Sequence, residues 1–190
     1  MSTPTGNAAL LVMDLQNGIV SRFAQNEELL LPFQKAVEAA RNNNIPVYFI
    51  RVAFREGYSD VSPRNKAFSQ IANIGGMTVD DYATQIHDAV KPRSGEHVIT
   101  KKRVSAFAGS DLEILLRSRQ IDTLILSGIA TSGVVLSTVR EAADKDFAIQ
   151  VLSDACLDAD VEVHRVLTEK VFPRQAEVLT VDTWTSSLKG

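Results

Sequence analysis

The chain has 190 residues, 45% hydrophobic and 23% charged, the balance of an ordinary globular protein long enough for one sizeable domain. A net charge of −3 leaves no basic footprint, so neither nucleic acid nor an anionic membrane surface is an expected partner. The single cysteine, Cys156, excludes an internal disulfide and fits a reducing compartment.

The first residues, MSTPTGN, carry no charge, and the apolar run behind them is far shorter than the roughly 20 residues that span a bilayer. A signal peptide would need a basic flank there, so the expected location is the cytoplasm. Ala8 to Met13 reads as a strand buried on both faces, ending at Asp14. From Asn26 to Asn43, Leu29, Leu30, Phe33, Val37 and Ala40 recur at helical spacing, and Asn42-Asn43-Asn44 stops the helix. Val47 to Ala53 is a second buried strand. Residues 54–80 hold Gly57, Pro63, Gly75 and Gly76 with no sustained period, which predicts a lid or binding loop. A weak helix is expected near 81–90, and a third strand over His97 to Thr100 running into Lys101. Ser110-Asp111 opens a helix carrying Leu112, Leu115 and Leu116. Asp122 to Ser127 is a fourth strand, and Gly128 to Gly133 turns into a helix reaching about Lys145. Phe147 to Leu152 is a fifth strand, a helix covers about 161–171, Ala176 to Thr180 is a sixth strand, and a short helix closes the chain. Regular alternation without a linker predicts one domain over residues 1–190, with a parallel sheet covered by helices on both faces.

Such sheets bind ligands beyond the carboxyl ends of their strands. Asp14 ends the first strand, where partial desolvation tunes a carboxyl for acid or base work; a helix cap is the plainer reading. Lys101 ends the third strand, placed to hold a carboxylate or steady developing negative charge, although Lys102 and Arg103 also allow a solvated basic turn. Small residues in Gly128-Ile129-Ala130-Thr131-Ser132-Gly133 suit backbone donors aimed at an anion. No P-loop, G-x-S-x-G or G-x-G-x-x-G is present. His87, His97 and His164 are scattered, His164 on a structural helix face, so no metal is expected; Asp154, Asp158 and Asp160 read as solvated residues after the fifth strand. Arg51, Arg55 and Arg64 lie near the irregular segment, where Arg55 and Arg64 offer forks for a substrate carboxylate. Gln16 is expected at the pocket edge, and Phe23, Phe54 and Tyr58 as apolar wall or core.

Three segments carry a family resemblance: LLVMDLQNG (Leu10–Gly18), VITKKRVSAFAGSDLEILLRSRQIDTLILSGIATSGVVLSTVREA (Val98–Ala142) and VLSDA (Val151–Ala155). Together they resemble the isochorismatase-like, or cysteine hydrolase, superfamily. The resemblance implies a six-stranded parallel sheet in the order 3-2-1-4-5-6, flanked by helices, and a non-proline cis peptide at Ile129–Ala130. It implies a homo-oligomer, dimer or tetramer, acting on a small molecule without a cofactor. The family's usual catalytic set is an aspartate, a lysine and a cysteine. Asp14 matches the first, and Lys101, four positions before Ser105-Ala106-Phe107, matches the second.

The third is where the sequence departs. Counting from Gly128, the nucleophile falls on Val134, whose isopropyl group cannot attack a carbonyl. Cys156 reads as a buried structural thiol, and Ser132 as a substitute nucleophile with no evident histidine base. Keeping the acid while losing the nucleophile resembles true isochorismatases, which hydrolyse an enol ether and release pyruvate. Two alternatives stand beside this: an amide hydrolase using water or an unusual nucleophile, and a silent binding protein. The nicotinamidase branch has a metal-binding histidine after strand two; RVAFREGY has none.

Overall fold

The computed structural model describes residues 7–24 and 26–188. Six parallel strands form one sheet in the order β3-β2-β1-β4-β5-β6. They are β1 (Asn7–Met13), β2 (Val47–Val52), β3 (His97–Lys101), β4 (Ile121–Ile129), β5 (Ala148–Leu157) and β6 (Glu177–Leu179). The helices are α1 (Asn17–Phe23), α2 (Leu31–Asn42), α3 (Ile71–Ile74), α4 (Leu112–Ser118), α5 (Leu136–Asp144), α6 (Val161–Val166) and α7 (Val181–Ser187).

Strand alternation explains why the β1 sequence is apolar without a break. Ala9, Leu11 and Met13 enter one core with Leu112 and Leu116 of α4, Val139 and Ala142 of α5, and Phe172. Leu10 and Val12 enter the other with Phe33, Ala36, Val37 and Ala40 of α2 and Val181 and Trp184 of α7. A helix lies behind each face, giving three layers. The α2 stripe recurs at three- and four-residue intervals, Pro32 occupies its first turn, and Asn44 leaves the helix at φ +56°.

Several elements differ from the sequence reading. Residues 17–23 are helical, and α2 starts five residues later than expected, after a 3₁₀ turn at Glu27–Leu30 capped by Asn26. The helix expected near 81–90 is replaced by 3₁₀ turns at Tyr82–Thr84 and Asp88–Val90. Between them the chain is extended, because the Asn17 N–H donates to the Gln85 carbonyl (3.0 Å) and the His87 N–H to the Leu15 carbonyl (2.8 Å). Tertiary pairing overrides a weak local preference there. The strand β5 runs to Leu157, so Asp154 and Cys156 lie within it and not after it. The helix expected over 161–171 is α6 followed by a wider π turn at Leu167–Val171.

Candidate active site

Asp14 leaves β1 at φ +60°, a left-handed conformation that few non-glycine residues adopt. Its carboxylate oxygen Oδ2 lies 2.9 Å from Lys101 Nζ. The two residues are 5% and 1% exposed, so the ion pair is almost wholly out of water. Adjacent strands lie about 4.8 Å apart, and β2 separates β1 from β3, so a side chain of lysine's length is needed to cross. The ammonium also donates to the carbonyls of Arg103 (3.0 Å) and Val104 (2.8 Å), which with Asp14 accounts for its three protons. The loop supplying those carbonyls is itself fixed by the Ala106 N–H donating to Thr138 Oγ1 of α5 (3.0 Å).

Asp14 is less evenly satisfied. Its second oxygen, Oδ1, is buried with no partner among the described residues. Burial pushes the carboxyl above its ordinary value of 3.8, against the opposing pull of the Lys101 charge and hydrogen bond. An acceptor left bare in a desolvated place is one that a proton, or a substrate, would satisfy.

The neighbouring wall is the turn after β4. Gly128 pairs with Met13 beside Asp14, and a Cβ at 128 would meet the Met13 carbonyl oxygen at 2.7 Å, so β1 and β4 approach this closely only around glycine. The Ile129–Ala130 peptide is cis. Thr131–Val135 then makes a single π turn leading into α5. Val134 is buried in the core it shares with Met13 and Cys156. Cys156 pairs with Gly128 on the far side of β4 from Met13. Burial raises its thiol to about 12, with the Gly128 backbone lowering it and Asp154 raising it further. Such a thiol stays protonated at neutral pH and is a poor nucleophile.

A profile of the Isochorismatase domain matches residues 8–183. The chain belongs to the isochorismatase family. It is 32% identical over 181 residues to the isochorismatase family protein YwoC of Bacillus subtilis, covering 95% of this chain and 94% of that one. It is 37% identical over 123 residues to N-carbamoylsarcosine amidase of an Arthrobacter species, covering 63% and 46%, and 30% identical over 213 residues to ureidoacrylate amidohydrolase RutB of Pseudomonas savastanoi pv. phaseolicola, covering 96% and 81%. Among solved structures, an isochorismatase family protein of Burkholderia thailandensis superposes with a TM-score of 0.87 at 26% identity, over 97% of this chain and 96% of that one.

In this isochorismatase-family chain, several predicted site residues do other work. Gln16 is fully buried; its amide donates to the carbonyls of Val52 (2.9 Å) and Thr84 (3.1 Å) and accepts from the Val52 N–H (2.8 Å). Both N–H protons are committed to the backbone, so Gln16 locks the ends of β1 and β2 together. Ser132 and Gly133, expected as anion donors, have their amides engaged: Ser132 N–H with the Asp158 carboxylate (2.7 Å) and Gly133 N–H with the Ala130 carbonyl (3.1 Å). Burial opposes ionisation of Asp158, but hydrogen bonds from Ser132, Asp160 and Ala159 hold its carboxyl below the ordinary value. An anion at Ser132 would therefore meet a negative charge already in place. The Thr131 hydroxyl, fully buried, lies 2.8 Å from His164 Nδ1, so the histidine read as merely structural touches the turn.

Arg55 and Arg64 are exposed on the segment following β2, where Arg55 faces Asp60 at 3.5 Å. Arg51 is tied to Thr100 Oγ1 and Gln85 Oε1, both at 3.0 Å, and Phe54 is core, in ring contact with Tyr58 and Phe68. Phe23 packs at the edge of the α2 core. The segment is latched to the chain after β3 by Asp60, which accepts from Lys102 Nζ (3.3 Å) and from the Arg55 N–H (3.2 Å) while its carbonyl accepts from Arg103 (3.0 Å). Among the described residues no group of three or more His, Cys, Asp or Glu is placed to hold a metal ion, and no helix is long and apolar enough to cross a membrane.

Proposed function

We propose that this isochorismatase-family hydrolase cleaves its substrate by attack of water, with Asp14 as proton donor and acceptor and Lys101 as its electrostatic partner, and with no covalent intermediate on the protein. The observation that supports this most is the half-satisfied Asp14 carboxyl: one oxygen is held by Lys101, the other is buried without a partner among the described residues, and burial raises the carboxyl above its ordinary value against the pull of Lys101. Val134 stands where the family's thiol is expected, and Cys156 is a buried, protonated thiol on the other side of β4.

The bond best suited to that equipment is an enol ether. Asp14 delivers its proton to the vinyl carbon, and the ether carbon becomes an oxocarbenium ion. Water adds to that carbon and returns a proton to the Asp14 carboxylate, and the hemiketal collapses to a ketone and an alcohol. The carboxylate formed transiently remains paired with Lys101, so no unpaired charge is left buried. A small carboxylate of the isochorismate type is the proposed substrate, releasing pyruvate. The scheme needs no cofactor and no metal. A buried, unpaired cysteine supports a reducing, cytoplasmic setting.

The names of two relatives favour a second reading. N-carbamoylsarcosine amidase and ureidoacrylate amidohydrolase both denote hydrolysis of a C–N bond in a small carbamoyl-bearing acid. There Asp14 would take a proton from the attacking water and pass it to the leaving nitrogen. The test is a turnover screen of isochorismate, N-carbamoylsarcosine and ureidoacrylate, with intact-mass measurement of protein quenched during turnover. Pyruvate release without a protein adduct is the expected result. Ammonia or carbamate release would select the amide reading, a covalent adduct would sink the water mechanism, and binding without turnover of any of the three would leave a silent member of the family.

A further inference from the structure

Two side chains of the stretch from Asp158 to α6 bond to the turn after β4. The Thr131 hydroxyl meets His164 Nδ1 at 2.8 Å, and the next residue's amide meets the Asp158 carboxylate at 2.7 Å. Both partners are themselves held. The other Asp158 oxygen accepts from the Asp160 N–H (3.3 Å). Asp160 caps α6, accepting from the N–H groups of Glu162 (2.9 Å) and Val163 (3.2 Å), and its carbonyl accepts from the His164 N–H (3.0 Å). The His164 carbonyl accepts from Thr168 Oγ1 (2.9 Å). The helix therefore presents the ring at a fixed height and angle to a fully buried hydroxyl. Burial keeps the imidazole below its usual value, against the opposing influence of Asp158, which favours the neutral ring in this contact with the threonine hydroxyl.

What the two contacts add is a link between the turn and a helix that otherwise has no part in the site. Thr131 follows the residue bearing the cis peptide, and the turn lies against the end of β1 that carries Asp14.

We propose that the β5–α6 connection is a clamp on the turn at residues 129–135, and that His164 is a positioning residue which fixes that turn against Asp14 through Thr131. His164 does not reach the reacting atoms; it acts through the threonine. Thr131 is not a nucleophile in this scheme, because its hydroxyl is enclosed and committed to the ring. The inference rests on the reading that Asp14 and the turn form one active site.

The test compares native protein with His164→Ala, Thr131→Val, the double variant, His164→Asn, Thr131→Ser and Asp14→Asn. Two readouts are taken: kcat and KM with isochorismate and N-carbamoylsarcosine, and amide hydrogen exchange of peptides covering residues 129–136 and β1. Displacing a reacting wall by a fraction of an ångström is expected to lower kcat about tenfold or more in His164→Ala and in Thr131→Val, with KM nearly unchanged. The double variant should fall no lower than the worse single one, since both remove the same link. His164→Asn keeps a polar atom near the Nδ1 position and Thr131→Ser keeps the hydroxyl; both should recover most of the rate. Exchange should quicken in 129–136 and stay native in β1. A His164→Ala protein within about twofold of native kcat/KM, beside an inactive Asp14→Asn, would overturn the clamp and leave the hydrolase reading standing. An active Asp14→Asn would overturn that reading instead. Unchanged exchange over 129–136 in His164→Ala would overturn the clamp whether or not either compound is turned over.

Discussion

At the scale of single residues, the site turns on an unequal pair. Lys101 has an acceptor for each of its three protons, whereas Asp14 has a bare oxygen. Asp14→Asn is expected to reduce turnover by about 10² or more while leaving the fold intact, measured as kcat on a turned-over substrate beside a circular dichroism melt. Lys101→Met keeps the length that crosses β2 but removes the charge, leaving a buried carboxylate without its partner. A loss of about 3–5 kcal/mol is expected from urea unfolding at pH 7. The raised Asp14 carboxyl also sets a stability slope. A group that holds its proton more tightly when folded contributes stability below its ordinary value of 3.8, and that contribution is lost as pH rises through the raised folded value. Unfolding free energies of native protein and Asp14→Asn, followed upward from pH 3.8, should diverge in this sense: the native protein loses stability across the window and the variant does not.

At the scale of elements, the close contact of β1 and β4 puts the pair beside the turn. Gly128→Ala places a methyl against the Met13 carbonyl, backbone that cannot swing aside, and should cost about 1–3 kcal/mol in chemical denaturation and displace Asp14 from the turn. Cys156→Ala, one strand further along, should leave kcat/KM within about twofold, since its thiol is un-ionised and outside the proposed chemistry. The strands were legible in the sequence because each carries a short apolar stretch between turns, and the sheet order followed once the family was seen. The positions of Asp14 and Lys101 at strand ends were legible because a charged residue ending an apolar run is conspicuous, and the structure pairs them. Other features were not. The helix α1 has three apolar residues in seven, too few for a period to show. The locking bonds of Gln16 were not legible because its partners are backbone atoms of Val52 and Thr84, which no side-chain pattern announces. His164 and Asp158 read as helix and loop residues because their partners lie 33 and 26 positions away.

At the scale of the whole molecule, the two cores pack on either side of the sheet, and the proposed chemistry is assigned to the carboxyl ends of β1, β3 and β4. Large apolar side chains nevertheless remain on its surface: Ile74, Tyr82, Ile114 and Val161 are each more than 70% exposed. The homo-oligomer that the resemblance implies is tested by sedimentation velocity at micromolar concentration: a dimer or tetramer is expected, and a monomer throughout would refute that expectation. Whatever the assembly, the scheme stands on a proton that Asp14 holds and can give. Its most direct measurement is a pH titration of the Asp14 carboxyl carbon by ¹³C NMR in the intact protein. The expected result is a midpoint above 3.8, absent in Asp14→Asn. A midpoint at or below 3.8 would mean a permanently ionised partner of Lys101, and Asp14 would have no proton to deliver.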